Sequence, residues 1–281
     1  MTGTTLPGSI PSVTLNTGAT MPQVGFGVFQ VPDAETHAAV ATALEAGYRS
    51  IDTATVYGNE AGVGSAIKES GIARDDLFVT TKLWNSDQGR EEPLAAIDRS
   101  LELLGLDAVD LYLIHWPAPG RGAYQAAWQA LEEIHASGRA KAIGVSNFLP
   151  EHLDALTALG GTVPAVNQIE LHPALQQRDA VARNQALGIV TEAWSPLAQA
   201  AVLTDPAVTS IAERLGRTPA QVVLRWHLQH GRVVIPKSVT PSRIKENLDV
   251  AGFELTDADL VSIDALESDG RIGPHPNELD G

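Results

Sequence analysis

The sequence predicts an α/β protein, a (β/α)₈ TIM barrel with an N-terminal β-hairpin. Short apolar runs recur about every 30 residues, and each is followed by a segment with the apolar spacing of a helix. The runs at 111–114 and 141–145 are apolar almost throughout, which favours parallel strands covered on both faces. Eight such units close most naturally into a barrel. We expect one domain over residues 1–281, with a loop-like tail from about Asp269.

Each element follows from this alternation, taken in chain order. Asn16-Thr17-Gly18 separates two apolar segments, 12–15 and 21–24, and predicts a hairpin that closes one end of the barrel. The predicted strands are 24–28, 48–53, 77–82, 109–115, 140–145, 165–170, 189–193 and 233–236. The predicted helices are 34–46, 60–69, 93–104, 124–137, 150–159, 178–186, 219–229 and 242–249, and the segment 198–216 is long enough for an additional short helix.

A doubly wound dinucleotide-binding sheet is the alternative fold. It needs a glycine-rich turn after an early strand, and Gly25-Phe26-Gly27-Val28-Phe29-Gln30 begins that motif correctly. Gln30 then stands where the third glycine is required. The barrel is therefore the better prediction.

Composition narrows the class of partner. The chain has 19 Lys and Arg against 34 Asp and Glu, a formal charge of −15, which disfavours nucleic acid and anionic membrane surfaces as partners. It has no cysteine, which removes disulfides, thiolate metal sites and a cysteine nucleophile. Neither a signal peptide nor an apolar run of about 18 residues is visible. We expect a cytoplasmic monomer with no metal site.

Ionisable residues stand where three predicted strands end. Asp52 ends the second strand with Tyr57 shortly after it, Lys82 ends the third, and His115 ends the fourth. Active sites of barrels gather at the carboxyl ends of strands. Taken singly, the aspartate is more often a turn former, the tyrosine a packing residue and the histidine a core residue. Their coincidence on neighbouring strands favours a shared site.

The combination of these four residues suits proton transfer. A tyrosine with an ordinary pKa near ~10 is a poor acid at neutral pH unless a cation stabilises its phenolate. Lys82 is expected to be that cation, Asp52 to hold its ammonium group, and His115 to orient a carbonyl oxygen. Such a tyrosine would protonate a developing alkoxide while a hydride reaches the carbonyl carbon.

Long motifs around these residues resemble those of the aldo-keto reductase superfamily. They are Gly47-Tyr48-Arg49-Ser50-Ile51-Asp52-Thr53-Ala54, Leu111-Tyr112-Leu113-Ile114-His115-Trp116-Pro117, Gly144-Val145-Ser146-Asn147-Phe148 and Ile235-Pro236-Lys237-Ser238. The resemblance runs from about Val13 to about Gly270, and in detail it is to the bacterial branch that includes 2,5-diketo-gluconate reductases. It implies NADPH as cofactor and a catalytic tetrad of Asp52, Tyr57, Lys82 and His115.

The resemblance also implies a cofactor site. The nicotinamide amide would contact Ser146, Asn147 and Gln168, and its ring would stack on Trp194, where many members carry tyrosine. The remaining cofactor contacts would come from Ser195, Leu197, Lys237, Ser238, Val239, Arg243, Glu246 and Asn247. The residues support part of this independently, because Lys237, Arg243 and Lys245 gather three cations at a predicted helix start of an acidic chain. Without the family, a solvated helix face would be the alternative.

Phe29, Trp84 and Trp116 match the apolar wall of the family's substrate pocket. The loop at 116–123 and the tail are short, so a small aldehyde or dicarbonyl substrate is favoured over a bulky lipid. Two other functions stay open. Some relatives bind the cofactor as regulatory subunits with little turnover, and they can keep the tetrad. A barrel hydrolase or isomerase would need metal ligands or paired carboxylates at strand ends, and Glu170 and Glu192 match no such arrangement.

Overall fold

The computed structural model describes residues 10–280 and opens with the predicted hairpin, β1 (Ser12–Thr14) and β2 (Thr20–Pro22). The two strands pair antiparallel. Leu15 and Met21 from this hairpin are buried against residues of the barrel strands, among them Leu111 and Val166. The hairpin therefore covers one end of the barrel, as expected. The N-terminal segment where no signal peptide was expected lies outside the described residues.

Eight parallel strands form the barrel, in chain order around the sheet. They are β3 (Phe26–Gly27), β4 (Ser50–Asp52), β5 (Phe78–Leu83), β6 (Val109–Ile114), β7 (Ala140–Ser146), β8 (Val166–Glu170), β9 (Val190–Trp194) and β10 (Val233–Val234). A parallel bridge between Val24 and Val234 joins the first strand to the last. The predicted fold class and all eight strands are confirmed, and β3, β4 and β10 are shorter than the predicted 24–28, 48–53 and 233–236.

Helices follow the strands and pack around the sheet. Their bounds are α1 (Asp33–Ala46), α2 (Glu60–Glu69), α3 (Glu92–Leu104), α4 (Tyr124–Ala136), α5 (Pro150–Thr157), α6 (Arg178–Leu187), α7 (Pro206–Leu215), α8 (Pro219–Gln229), α9 (Pro241–Leu248) and α10 (Asp257–Asp264). α7 is the additional helix expected in the long segment. No helix of residues 10–280 is long and apolar enough to cross a membrane.

Local chemistry explains where several helices begin, and α10 shows what the apolar pattern alone misses. Thr218 caps α8 in a reciprocal capping box with Gln221, and Pro219 occupies the first turn. α10 has the same device, since Thr256 accepts a hydrogen bond from the Asp259 amide. We did not predict α10, because it buries only Asp259 and Ile263 and so shows almost no apolar stripe. Its cap was the available signal.

Candidate active site

The four residues proposed as the tetrad meet at one end of the barrel. Asp52 is the last residue of β4, Lys82 lies near the end of β5, and His115 follows β6 directly. Tyr57 ends a one-turn 3₁₀ helix, Thr55–Tyr57, in the loop after β4. Because neighbouring parallel strands end at the same rim, residues separated by 63 positions in the chain (52 to 115) become neighbours in space.

Lys82 and Asp52 form a buried ion pair. The Lys82 side chain is fully buried, and its Nζ donates to Asp52 Oδ1 at 2.6 Å and to the Thr53 carbonyl at 2.9 Å. A buried ammonium group requires such partners, because its transfer from water is costly. The carboxylate raises the pKa of Lys82 although burial opposes this. The lysine therefore carries its charge at neutral pH.

Tyr57 lies within reach of that charge. Lys82 Nζ is 5.2 Å from the centre of the Tyr57 ring, and the ring of His115 packs edge-on at 5.6 Å. Burial raises the pKa of the Tyr57 phenol, and the neighbouring Lys82 lowers it in part. The direction predicted for Lys82 is present, but the effect of burial is larger. The phenol therefore holds its proton at neutral pH.

His115 is neutral in this setting. It is buried between Trp84 and Tyr57, with the Trp84 ring centre at 5.1 Å. Burial, and then the charge of Lys82, hold the pKa of His115 well below its usual range. A neutral imidazole keeps one ring nitrogen as a donor and the other as an acceptor, so it can orient an oxygen without carrying charge.

The residues expected around the nicotinamide form one hydrogen-bonded network. Trp194 Nε1 donates to Asn147 Oδ1 at 2.8 Å, and Asn147 Nδ2 donates to the His115 carbonyl at 3.0 Å. Ser146 Oγ donates to the Gln168 carbonyl at 2.8 Å. Asn147 and Ser195 also have left-handed backbone, with φ of 64° and 46°. Such conformations cluster at functional sites, where the surrounding structure holds them.

Gln168 connects the ion pair to a glutamate that sequence reasoning dismissed. Its Nε2 donates to Asp52 Oδ2 and to Glu192 Oε2, both at 2.8 Å. Glu192 is fully buried in β9, and its other oxygen has no partner among the described residues. The available signal was a charged residue within a strand otherwise suited to the interior, 190–194.

Glu170, at the end of β8, was also missed. It binds the C-terminal tail by accepting hydrogen bonds from the amides of Ile272 at 2.6 Å and Gly273 at 2.8 Å. This brings the tail against Trp194, the expected stacking residue for the nicotinamide, since a Cβ on Gly273 would collide with the Trp194 ring. Farther along, Asp280 Oδ1 accepts from the Gly120 amide at 2.8 Å. The tail has no regular secondary structure, as expected, but it is anchored across the rim.

The basic cluster spans α9 and the segment before it, with Lys237 ahead of the helix, Arg243 in its first turn and Lys245 in its last turn. Lys237, Arg243 and Lys245 are exposed, and no carboxylate of residues 10–280 forms a salt bridge with any of them. Nearby arginines differ, since Arg214 and Arg217 each pair with an aspartate. The structure places the other expected adenosine contacts around the same helix: Ser238 and Val239 precede it, and Glu246 and Asn247 lie in its last turn.

Of the three aromatic residues predicted for the substrate pocket, Phe29 and Trp84 pack on proposed tetrad residues and Trp116 packs near Trp194. Phe29 packs on Tyr57 with ring centres 5.1 Å apart and is itself 56% exposed. Trp84 contacts His115, and Trp116 lies 6.5 Å from Trp194 between ring centres. The arrangement leaves an apolar wall that is open to solvent at Phe29. It can hold a small carbonyl compound against a phenol, a neutral imidazole and a buried ammonium group.

Comparison with known proteins identifies the family. Residues 22–268 match the model of the aldo/keto reductase family. An aldo-keto reductase of Mycolicibacterium smegmatis is 54% identical over 95% of this chain and 97% of its own length. The glyoxal reductase of Bacillus subtilis is 51% identical over 95% and 97%. A crystal structure of a Gox0644 mutant with NADPH is 48% identical with a TM-score of 0.93, covering 96% of this chain and 99% of that one. This chain belongs to the aldo/keto reductase family and is an oxidoreductase.

Proposed function

We propose that the protein reduces small aldehydes and α-dicarbonyl compounds to alcohols with NADPH, using Tyr57 as the general acid. The observation that carries this proposal is the meeting of a protonated phenol, a buried ammonium–carboxylate pair and a neutral imidazole at one rim of the barrel. These groups stabilise and protonate an oxygen that gains negative charge. NADPH, when bound, supplies the hydride.

The chain's own residues divide the remaining work. Lys82 stabilises the phenolate that forms as Tyr57 gives up its proton, and Asp52 holds the Lys82 ammonium group at 2.6 Å. His115 orients the carbonyl oxygen toward the phenol. Trp194 offers a partly exposed flat face for the nicotinamide ring. Ser146, Asn147 and Gln168 would bind its carboxamide.

The fit of the adenosine end rests on the unpaired cations. Lys237 and Arg243 are exposed at the start of α9 with no carboxylate partner among the described residues, which suits a 2′-phosphate. Ser195, Leu197, Ser238 and Val239 would line the path between the two ends of the cofactor. We infer that NADPH is preferred over NADH, which lacks this phosphate.

Small reactive carbonyl compounds fit the pocket better than bulky lipids. The wall formed by Phe29, Trp84 and Trp116 is apolar, and the tail crosses the rim close by, anchored at Glu170. The relative from Bacillus subtilis named glyoxal reductase supports the same substrate class.

The decisive experiment follows NADPH oxidation with a panel of aldehydes, α-dicarbonyls and keto sugars, comparing wild type with Tyr57→Phe. Loss of a positioned general acid costs about 10²–10⁴ in turnover, while NADPH affinity should change little. Tyr124→Phe is the matched control, because that ring, at the start of α4, packs on Phe148 of the loop between β7 and α5 and its variant should keep full activity. A Tyr57→Phe variant with more than about a tenth of wild-type turnover would contradict the role of Tyr57. Tight NADPH binding without turnover of any substrate would instead support a regulatory subunit.

Cofactor preference is tested by Arg243→Ala. Loss of one charge-assisted contact should weaken NADPH binding by about 10-fold to 150-fold and leave NADH binding unchanged. Lys68→Ala, an exposed cation in the last turn of α2, serves as control. Equal affinities of the wild type for the two cofactors would show that the cluster is only surface charge.

A further inference from the structure

Glu192 is a buried carboxyl group that the proposed reaction does not use. It lies in β9 directly beside Gln168 of β8 and Val233 of β10 in the register of the sheet. Its side chain has no exposed surface. One oxygen accepts the Gln168 amide hydrogen bond at 2.8 Å, and Oε1 has no partner within residues 10–280. Burying an acid with so few hydrogen-bond partners in a barrel interior costs stability, and its presence there calls for an explanation.

A single amide joins this acid to the ion pair beside the proposed proton donor. Gln168 Nε2 reaches Glu192 Oε2 and Asp52 Oδ2 at the same distance, 2.8 Å. Asp52 Oδ1 in turn accepts the Lys82 ammonium at 2.6 Å, and Lys82 Nζ lies 5.2 Å from the centre of the Tyr57 ring. The series of contacts Glu192–Gln168–Asp52–Lys82 therefore ends beside the Tyr57 ring.

We propose that Glu192 is a positioning residue for the reduction, holding Asp52 through Gln168, and that ionisation of its carboxyl group weakens Tyr57 as a proton donor. This inference rests on the proposed function. A second negative charge beside Asp52 stabilises the protonated forms of the lysine and the phenol, and so opposes formation of the phenolate. The reduction should therefore slow when Glu192 loses its proton.

Three groups around Glu192 have pKa values that are shifted away from neutral pH. Burial and the nearby Asp52 raise the pKa of Glu192 to about 8, while the Gln168 hydrogen bond and Lys82 act in the opposite direction. The pKa values of Lys82 and Tyr57 are both raised, and that of His115 is held well below its usual range. Asp52 is held by Lys82 and Gln168. Compared with Lys82, Tyr57 and His115, Glu192 is the group that changes charge just above neutral pH.

Two variants separate charge from positioning. Glu192→Gln reproduces the shape and the hydrogen-bond acceptor of the protonated acid and cannot ionise. Glu192→Leu removes the acceptor for Gln168 as well. Turnover of an uncharged aldehyde at saturating NADPH is measured from pH 6 to 10 for both variants and the wild type, because such a substrate adds no titration of its own.

The wild type should lose about threefold to tenfold in kcat between pH 7 and pH 9, since a like charge shifts a neighbouring pKa by about a unit and proton transfer reflects part of that shift. Glu192→Gln should match the wild type at pH 6 and lose this decline. Glu192→Leu should be slower at every pH and should also lose it. A Glu192→Gln variant that keeps the wild-type decline overturns the proposal, as does a wild type whose kcat is flat across this range.

A readout without turnover keeps this test separate from the proposed function. Thermal unfolding of the wild type and Glu192→Gln is compared over the same pH range. Because the folded protein holds the Glu192 proton to a higher pH than the unfolded chain, the wild type should lose stability relative to the variant up to about pH 8. If the melting temperatures of the wild type and Glu192→Gln change with pH in the same way, the inference is overturned. Diverging curves without turnover of any carbonyl compound would contradict the proposed function and leave the titration of Glu192 supported.

Discussion

Two glutamates on neighbouring strands are equally buried and have opposite surroundings. Glu170 ends β8 and receives hydrogen bonds from two tail amides, with His172 Nε2 3.1 Å away. Glu192 in β9 receives one hydrogen bond, from Gln168. The pKa of Glu170 is lowered because these donors outweigh its burial, whereas that of Glu192 is raised to about 8. The comparison shows that hydrogen-bond donors and neighbouring charges, here the charge of Asp52 beside Glu192, decide the charge of an interior carboxyl group together with its burial.

The two acids therefore suit different tasks. A carboxylate that stays charged can hold a piece of backbone, and Glu170 holds the tail against Trp194. A carboxyl group that gains or loses its proton near neutral pH can alter its neighbours, and Glu192 lies one amide away from Asp52. We expect the first to govern the position of the tail and the second to govern the proton affinity of the tetrad.

The largest expected effect comes from removing Lys82, the cation that pairs with Asp52 in the hydrogen-bonded network that contains Glu192. Lys82→Met removes the charge that faces Asp52 and Tyr57, so turnover at neutral pH should fall by about 10²–10⁴. Removing Lys82 leaves Asp52 buried without its cation, so some loss of stability is expected beside the loss of turnover. Lys141→Met is the matched control, because Lys141 also pairs with a buried aspartate, Asp110 at 3.0 Å. Activity and thermal melting are measured on the same samples. If activity falls only in proportion to the unfolded fraction, Lys82 is a scaffold residue.

The second-largest expected effect comes from removing the charge of Glu170, which binds the tail. Glu170→Gln can accept from only one of the two tail amides and has no charge, so we expect the tail to be destabilised by about 1.5–3 kcal/mol. Protease cleavage of the tail and hydrogen exchange at Ile272 and Gly273 measure its opening. Glu267→Gln is the comparison variant, because that less buried carboxylate also accepts from two backbone amides, Gln176 at 2.6 Å and Asp269 at 2.8 Å, but does not contact Ile272 or Gly273. Protection of Ile272 and Gly273 in Glu170→Gln equal to that in the wild type would show that Glu170 does not anchor the tail.

The smallest expected effect is the change with pH in the contribution of each glutamate to stability. The Glu170 pKa is lowered, so its contribution to stability is complete above the ordinary value of 4.5 and is lost as the pH falls through the folded-state pKa. The Glu192 pKa is raised, so its contribution is complete below 4.5 and is lost as the pH rises toward about 8. Each slope is at most about 1.4 kcal/mol per pH unit.

Denaturant unfolding from pH 3 to 9 measures both slopes. The stability difference between the wild type and Glu170→Gln should shrink toward acid pH, and that between the wild type and Glu192→Gln should change above pH 5. Slopes of the same sign for the two acids would contradict the assignment of opposite environments.

Much of this architecture was predictable from local patterns. The alternation of apolar runs with segments of helical spacing predicted eight strands and eight of the helices. A strand buried on both faces is apolar throughout, whereas a helix buried along one stripe repeats its apolar residues with the helical period. α10 was not predicted, because it buries so little. The meeting of Asp52, Lys82 and His115 was predictable, since ionisable residues at the ends of apolar strands are conspicuous, and their role as part of a tetrad stays a prediction. Glu192 and Glu170 were equally conspicuous, but nothing local identified their partners.

The sequence by itself determined the barrel, the rim on which Asp52, Lys82 and His115 meet, and the basic cluster at α9. The tertiary structure decided which groups share protons and hydrogen bonds. Gln168 reaches Asp52 across 116 positions of chain, and Glu170 reaches the tail across 102, only because the barrel closes and the tail returns over its rim. The number of hydrogen-bond donors around a buried acid depends on these long-range contacts. The charge of Glu170 and of Glu192 is therefore determined by the folded structure.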